Sequence, residues 1–188
     1  MIRAAKGEVM LSALLRALAA IALILSAQPD ARAAPQANAP VAEQPSQELL
    51  GRLVGHWVLT GTIAGQSVTH EVDAGWTLQR HYLRLDEVSR ERDAHGLAQY
   101  EATIFIGWLD DHYVCLWLDN TGVASGDITC RAMAAPDALP FEFRDAHGAL
   151  QIATTFRYNR ADDTWTWRID NIQDGRTERF ADLTMRRR

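Results

Sequence analysis

From residue 56 to the end of the chain, turn-forming residues recur at short intervals and nothing between them carries helical periodicity. The turn segments are Ala64-Gly65-Gln66, Asp73-Ala74-Gly75, Asp93-Ala94-His95-Gly96, Asp110-Asp111, Asp119 to Asp127, Pro136 to Pro140, Asp145-Ala146-His147-Gly148, Asn159 to Asp163 and Gln173-Asp174-Gly175. Glycine tolerates positive φ, proline presets φ, and Asp or Asn bonds its own backbone, so each cluster favours reversal of the chain. The intervening runs predict strands at 56–63, 67–73, 76–88, 98–108, 112–119, 126–133, 140–144, 149–158, 164–172 and 177–186. Alternation supports this: Leu150, Ile152, Thr154, Phe156 and Tyr158 share one face, and Trp165, Trp167 and Ile169 oppose Thr166, Arg168 and Asp170. About ten antiparallel strands joined by short turns form a sandwich or an up-and-down barrel, and only the barrel leaves no edge exposed. An all-β barrel is therefore expected.

The N-terminal part reads differently. Arg3, Lys6 and Arg16 precede the apolar run Ala17 to Ala27, and Ala31-Arg32-Ala33 follows it, the order of a secretory signal peptide. The run falls short of the roughly 20 residues that a membrane span needs. Residues 1–33 are read as a signal peptide cut before Ala34, which sends the protein to the periplasm or the medium with no stable span in the mature chain. Residues 34–45, rich in Pro, Ala and Gln, bury too little apolar surface to order themselves and are read as a disordered linker. The folded domain is 46–188, opening with a short helix that has Ser46 as N-cap, Glu48 in its first turn and Gly55 as its end.

Of the 19 basic and 24 acidic residues in the chain, the leader holds four and two; the remaining 15 bases, all arginine, face 22 acids, a net of about −7. Such a surface is poor ground for nucleic acid or anionic lipid. The two cysteines, Cys115 and Cys130, flank the Asp119 to Asp127 turn, so a hairpin can set them opposite each other; a disulfide and two buried thiols both fit.

Gly55-His56-Trp57 at the first strand, Ile106-Gly107-Trp108, Trp117-Leu118-Asp119 and the closing Ala181 to Arg187 segment resemble bacterial lipocalin-like domains of the calycin group, over residues 49 to 187. The resemblance implies a lipocalin-like barrel preceded by a short helix, with Trp57 plugging its narrow end and Arg186 or Arg187 packed over the indole, Arg186 being taken for this role. Haem-binding relatives carry a second glycine where Leu59 stands and a late histidine ligand, whereas no histidine follows His147; no cofactor is carried over.

Two strands break the simple inside-outside pattern. In residues 76–86, Trp76, Leu78, Arg80, Tyr82, Arg84 and Asp86 alternate with Thr77, Gln79, His81, Leu83 and Leu85, leaving polar groups on both faces. Since an unpartnered buried charge is costly, this predicts either a cavity that receives Arg80 and His81 or a rim where they meet solvent. In residues 112–118 both faces are apolar, so the N-terminal helix, through Leu49, Leu50 and Leu53, or a second copy in a homodimer must cover the outer one. The sequence carries no G-x-S-x-G, H-E-x-x-H, phosphate loop or C-x-x-C, and metal binding would require His81 to meet His70 or Asp119. The reading is a barrel that binds a small, partly apolar molecule, anionic if Arg80 contacts it, with Trp76, Arg80, His81, Tyr82, Tyr100, Trp117 and Trp167 around it. The alternatives are a hydratase, isomerase or lyase using Arg80, His81 or Tyr82, and an envelope protein acting through a partner surface.

Overall fold

A computed structural model describes residues 45–121 and 128–188. The expected leader, the expected linker up to residue 44 and the middle of the Asp119 to Asp127 turn lie outside the described residues. One helix, α1 (Pro45–Leu53), precedes ten strands: β1 (Gly55–Ile63), β2 (Gln66–Thr77), β3 (Tyr82–Ser89), β4 (Glu101–Leu109), β5 (His112–Asp119), β6 (Thr129–Met133), β7 (Ala138–Arg144), β8 (Leu150–Asn159), β9 (Thr164–Gln173) and β10 (Arg176–Arg187). Each strand pairs antiparallel with the next and β10 pairs with β1, closing the up-and-down barrel that the turn spacing predicts. No helix among the described residues is long and apolar enough to cross a membrane.

Directly paired residues of antiparallel strands share a face, so register and burial together define the interior. Leu59, Leu85, Ile104, Phe141, Phe156, Trp167 and Leu183 are buried there. Each contributes roughly 1.5–3 kcal/mol on leaving water. Outward neighbours such as Thr60, Arg84, Glu142, Arg157 and Arg168 meet solvent. Because the strands alternate in direction, the connections 78–81, 110–111, 134–137 and 160–163 fall at one end of the barrel with α1 and the C-terminus. The connections 64–65, 90–100, 145–149 and 174–175 fall at the other, as do the C-terminal end of β5 and the N-terminal end of β6.

The α1 end is sealed. Leu50 and Leu53 are buried against Trp57, which is itself fully buried. The last carbonyls of a helix have no partner within it. Here Trp57 Nε1 donates to Leu53 O (2.7 Å), and Arg187 donates from Nη2 to Arg52 O (3.3 Å) and from Nη1 to Val54 O (2.9 Å). The same guanidinium stacks 4.1 Å from the Trp57 ring centroid and donates from Nε to Asp163 Oδ2 at 2.6 Å. This explains Gly55: its φ of 138° is one that side-chain-bearing residues rarely adopt, and a Cβ there would run into Arg187 Nη1. Arg187, rather than Arg186, covers the plug; Arg186 pairs in register with Val58 and is exposed.

Three expectations are corrected. The turn expected at Asp73-Ala74-Gly75 is strand, and the chain reverses at 78–81 instead, with Leu78, Gln79 and Arg80 at φ of 48°, 58° and 67°. Without Gly, Asn or Pro in these positions, that turn has no local signature. The helix includes Pro45, so Ser46 lies inside its first turn and is not its cap; proline suits that first turn because its missing N–H is one the helix leaves unbonded anyway. And α1 closes the barrel end without covering β5, whose outward Val114 and Leu116 stay half-buried and Leu118 exposed. On the outer surface the Tyr82 ring lies over its paired Gly107, where a Cβ would sit 2.7 Å from the ring.

Cys115 and Cys130 are paired directly across β5 and β6 and joined in a disulfide. Closing a loop of this size stabilises by about 3 kcal/mol. The Cys115→Ala/Cys130→Ala variant is therefore expected to unfold at lower denaturant by about that amount, and an unchanged midpoint would show that the bond adds nothing. At the plug, Arg187→Lys should cost about 1–2 kcal/mol, since an ammonium cannot stack flat on the indole and its single nitrogen cannot reach the three acceptors that Nε, Nη1 and Nη2 meet separately. Arg186→Lys should leave the midpoint unchanged. Equal effects in urea titrations of the two variants would remove Arg187 from its structural role.

Candidate functional site

Polar chemistry inside the barrel gathers at the end opposite α1. The inward alternation of β3 runs Leu83, Leu85, Glu87, Ser89, and all four are buried. Glu87 pairs in register with Val72, and Ser89 with His70 on β2. His70 Nδ1 and Glu87 Oε1 are 2.5 Å apart, each side chain only 2% exposed, so one proton is held between them. Glu87 Oε2 is buried with no hydrogen-bond partner, and so is Glu91 Oε2, whose sister oxygen accepts from the Thr69 amide at 3.1 Å. A buried polar atom left unpaired costs about 1–3 kcal/mol.

An aromatic wall adjoins this pair. Tyr100 stacks on His70 with ring centroids 5.7 Å apart, and its hydroxyl accepts from Trp117 Nε1 at 3.3 Å. Trp117 in turn packs on Trp167 (5.4 Å) and Phe143 (5.9 Å), and Trp167 donates to the buried Thr154 hydroxyl at 2.8 Å. Burial, the neighbouring Glu87 charge and a hydrogen bond to Asp119 keep the Tyr100 phenol protonated far above its ordinary range. Several inward residues here, among them Val68, Tyr100, Trp117, Phe143 and Ile169, are only partly buried, whereas toward α1 most are sealed, Trp76 and Trp108 being the partly buried ones there. Side chains that face the barrel axis yet retain exposure line a mouth.

Of the expected ligand-binding residues, Tyr100, Trp117 and Trp167 come together at this mouth. Trp76, Arg80, His81 and Tyr82 do not: they lie at the α1 end, where the unexpected turn puts Arg80 and His81 in solvent. Arg80 sits over the Trp76 ring at 5.1 Å, Trp76 packs against the core at its edge, and Tyr82 points outward. His81 is thus at the opposite end from His70 and Asp119, and among the described residues no three His, Cys, Asp or Glu side chains are placed to hold a metal. Sequence reasoning missed Glu87 as a site residue because the misplaced turn hid its phase: once the strand starts at Tyr82, the run Leu83-Leu85-Glu87-Ser89 puts a carboxylate in line with the core.

A depression of about 570 Å³ lies at the α1 end, between the helix, Trp108 and Tyr113, and the 110–111, 134–137 and 160–163 connections. Of its charged walls, Glu48 is paired with Arg52 at 3.2 Å and Asp137 with Arg160 at 2.6 Å. Burial pushes the Tyr113 phenol beneath it up to about 12. The mouth, with its unpaired carboxylate oxygens, is the stronger site.

No protein-family model matches the chain, and no curated protein matches it.

Burial raises the pKa of Glu87 above its ordinary value of 4.5, with the His70 hydrogen bond and charge opposing the shift and the Asp119 charge adding to it. A raised folded-state pKa contributes stability that is complete below pH 4.5 and is lost as pH rises through the folded value. The Tm of the native protein should therefore fall relative to that of Glu87→Gln as pH is raised from 4.5 to 8. Parallel Tm curves would show that Glu87 does not titrate within the fold.

Proposed function

We propose that this protein is an exported, lipocalin-like barrel that binds a small, partly apolar molecule at its mouth. The observation that carries the reading is the pairing of an unsatisfied, buried Glu87 oxygen with an aromatic wall of Tyr100, Trp117 and Trp167. A barrel that served only as a scaffold would gain by filling this position with leucine, because a carboxylate lacking half its partners weakens the fold. Retaining it is reasonable where a bound molecule completes the hydrogen bonding, and binding sites are built in this way: mostly apolar, with a few convergent polar groups.

Export is supported by the leader-like residues 1–33 and by the Cys115–Cys130 disulfide, a bond that persists in oxidising compartments. The lipocalin-like relation is supported by the closed barrel after a short helix and by the arginine of the last strand stacked on the G-x-W tryptophan. Arg80, outside the barrel, no longer argues for an anionic ligand.

Native mass spectrometry of the purified protein should give a reproducible extra mass that is lost on denaturation, and the neutral fluorescent probe N-phenyl-1-naphthylamine should compete with it. Trp117→Ala should weaken probe binding about tenfold or more, while Arg80→Ala leaves it unchanged. A bare chain mass together with no binding of the probe would overturn the reading.

A further inference from the structure

The mouth is unbalanced in charge. Glu87 and Glu91 each bury an oxygen without a hydrogen-bond partner, and Asp119 stands close enough to act on both Glu87 and Tyr100. His70 is the one basic side chain described among them, and even when fully protonated it offsets a single carboxylate. Of the arginines nearest this end, Arg90, Arg144 and Arg179 are turned outward into ion pairs, with Glu71, with Glu142 at 2.6 Å and with Asp170 at 2.8 Å, while Arg92 and Arg176 are exposed, Arg176 pairing in register with Gln173 at the start of β10. The buried part of the site therefore presents acceptors and negative charge beside Tyr100 and Trp117, with His70 the one basic group there among the described residues.

We propose that the molecule bound at the mouth carries an organic cation, a primary or substituted ammonium on an apolar or aromatic body, whose N–H donors meet Glu87 Oε2 and whose charge rests against Trp117. This rests on the binding reading above and names its ligand class. An ammonium supplies what the site lacks, donors for an orphaned carboxylate oxygen, and gains from the aromatic faces as well. A carboxylate in the same place would meet like charge and find few donors. A neutral alcohol would satisfy Glu87 without using the excess charge.

Three probes of nearly equal size and apolar area separate these cases: phenethylammonium, phenethyl alcohol and 3-phenylpropionate, each titrated calorimetrically into the purified protein at pH 7. The expected order is ammonium tightest and carboxylate weakest. Glu87→Gln should cost the ammonium about 10- to 100-fold in affinity and the alcohol little, and Asp119→Asn should weaken the ammonium alone by a smaller factor. Trp117→Ala should weaken every probe that binds. The alcohol also reports whether Glu87→Gln is folded, and the order of the three probes on the native protein needs no variant. Equal or tighter binding of 3-phenylpropionate, or ammonium affinity indifferent to both substitutions, would overturn the cation assignment while leaving the binding reading intact. Binding of none of the three, with no co-purifying mass, would overturn both.

Discussion

Arg187 laid on Trp57 is the contact on which the rest of this barrel depends. Closure requires the first and last strands to find each other, and Arg187 and Val54 are 133 residues apart in the chain. Bringing such distant segments together costs about 4 kcal/mol in loop entropy by itself. Seven residue pairs between β1 and β10 offset that cost, and the guanidinium fixes where they start, because its donors fit the unpaired carbonyls at the end of α1 in only one position. One side chain thus joins the helix terminus, the plug and the closing strand. Gly55 follows from it as a steric consequence, which is why a glycine and a tryptophan two residues apart begin β1.

With the α1 end fixed in this way, the two ends of the barrel face different constraints. Toward α1 the interior is closed by large apolar side chains, and the Trp57 indole N–H is given a carbonyl acceptor at Leu53, although Trp165 Nε1 and His112 Nε2 are buried there without one. At the other end the same alternation delivers His70, Glu87 and Thr154 inward, and the wall residues keep part of their exposure. The Cys115–Cys130 bond joins β5 and β6 covalently near the middle of β5, between the two ends.

Most of the fold was legible because turn chemistry is local. Asp145-Ala146-His147-Gly148 reverses the chain through bonds from the Asp145 carboxylate to the amides of His147 and Ala149, both at 2.9 Å, and such patterns are visible without tertiary information. The 78–81 reversal was not legible, since Leu78, Gln79 and Arg80 are poor left-handed residues held in that conformation by the pairing of Thr77 with Tyr82 on either side. That single turn decided how much of the site could be read. Moving it shifted the phase of β3, took Arg80 and His81 out of consideration and brought Glu87 in. The aromatic residues survived the shift because Tyr100, Trp117 and Trp167 lie on other strands.

A buried pair such as His70 and Glu87 is weak evidence for stability, because two well-packed hydrocarbons would do as well or better. Its placement argues for a different role. The shared proton keeps Glu87 Oε1 engaged, which leaves Oε2 as the free acceptor, and Tyr100 stacked on the imidazole holds that geometry. His70 is therefore a positioning residue: it aims a carboxylate oxygen at the mouth and spares part of the desolvation cost of burying it. A carboxylate aimed and partly neutralised in this way suits the cationic ligand proposed above, since Asp119 and Glu91 add further negative charge beside it.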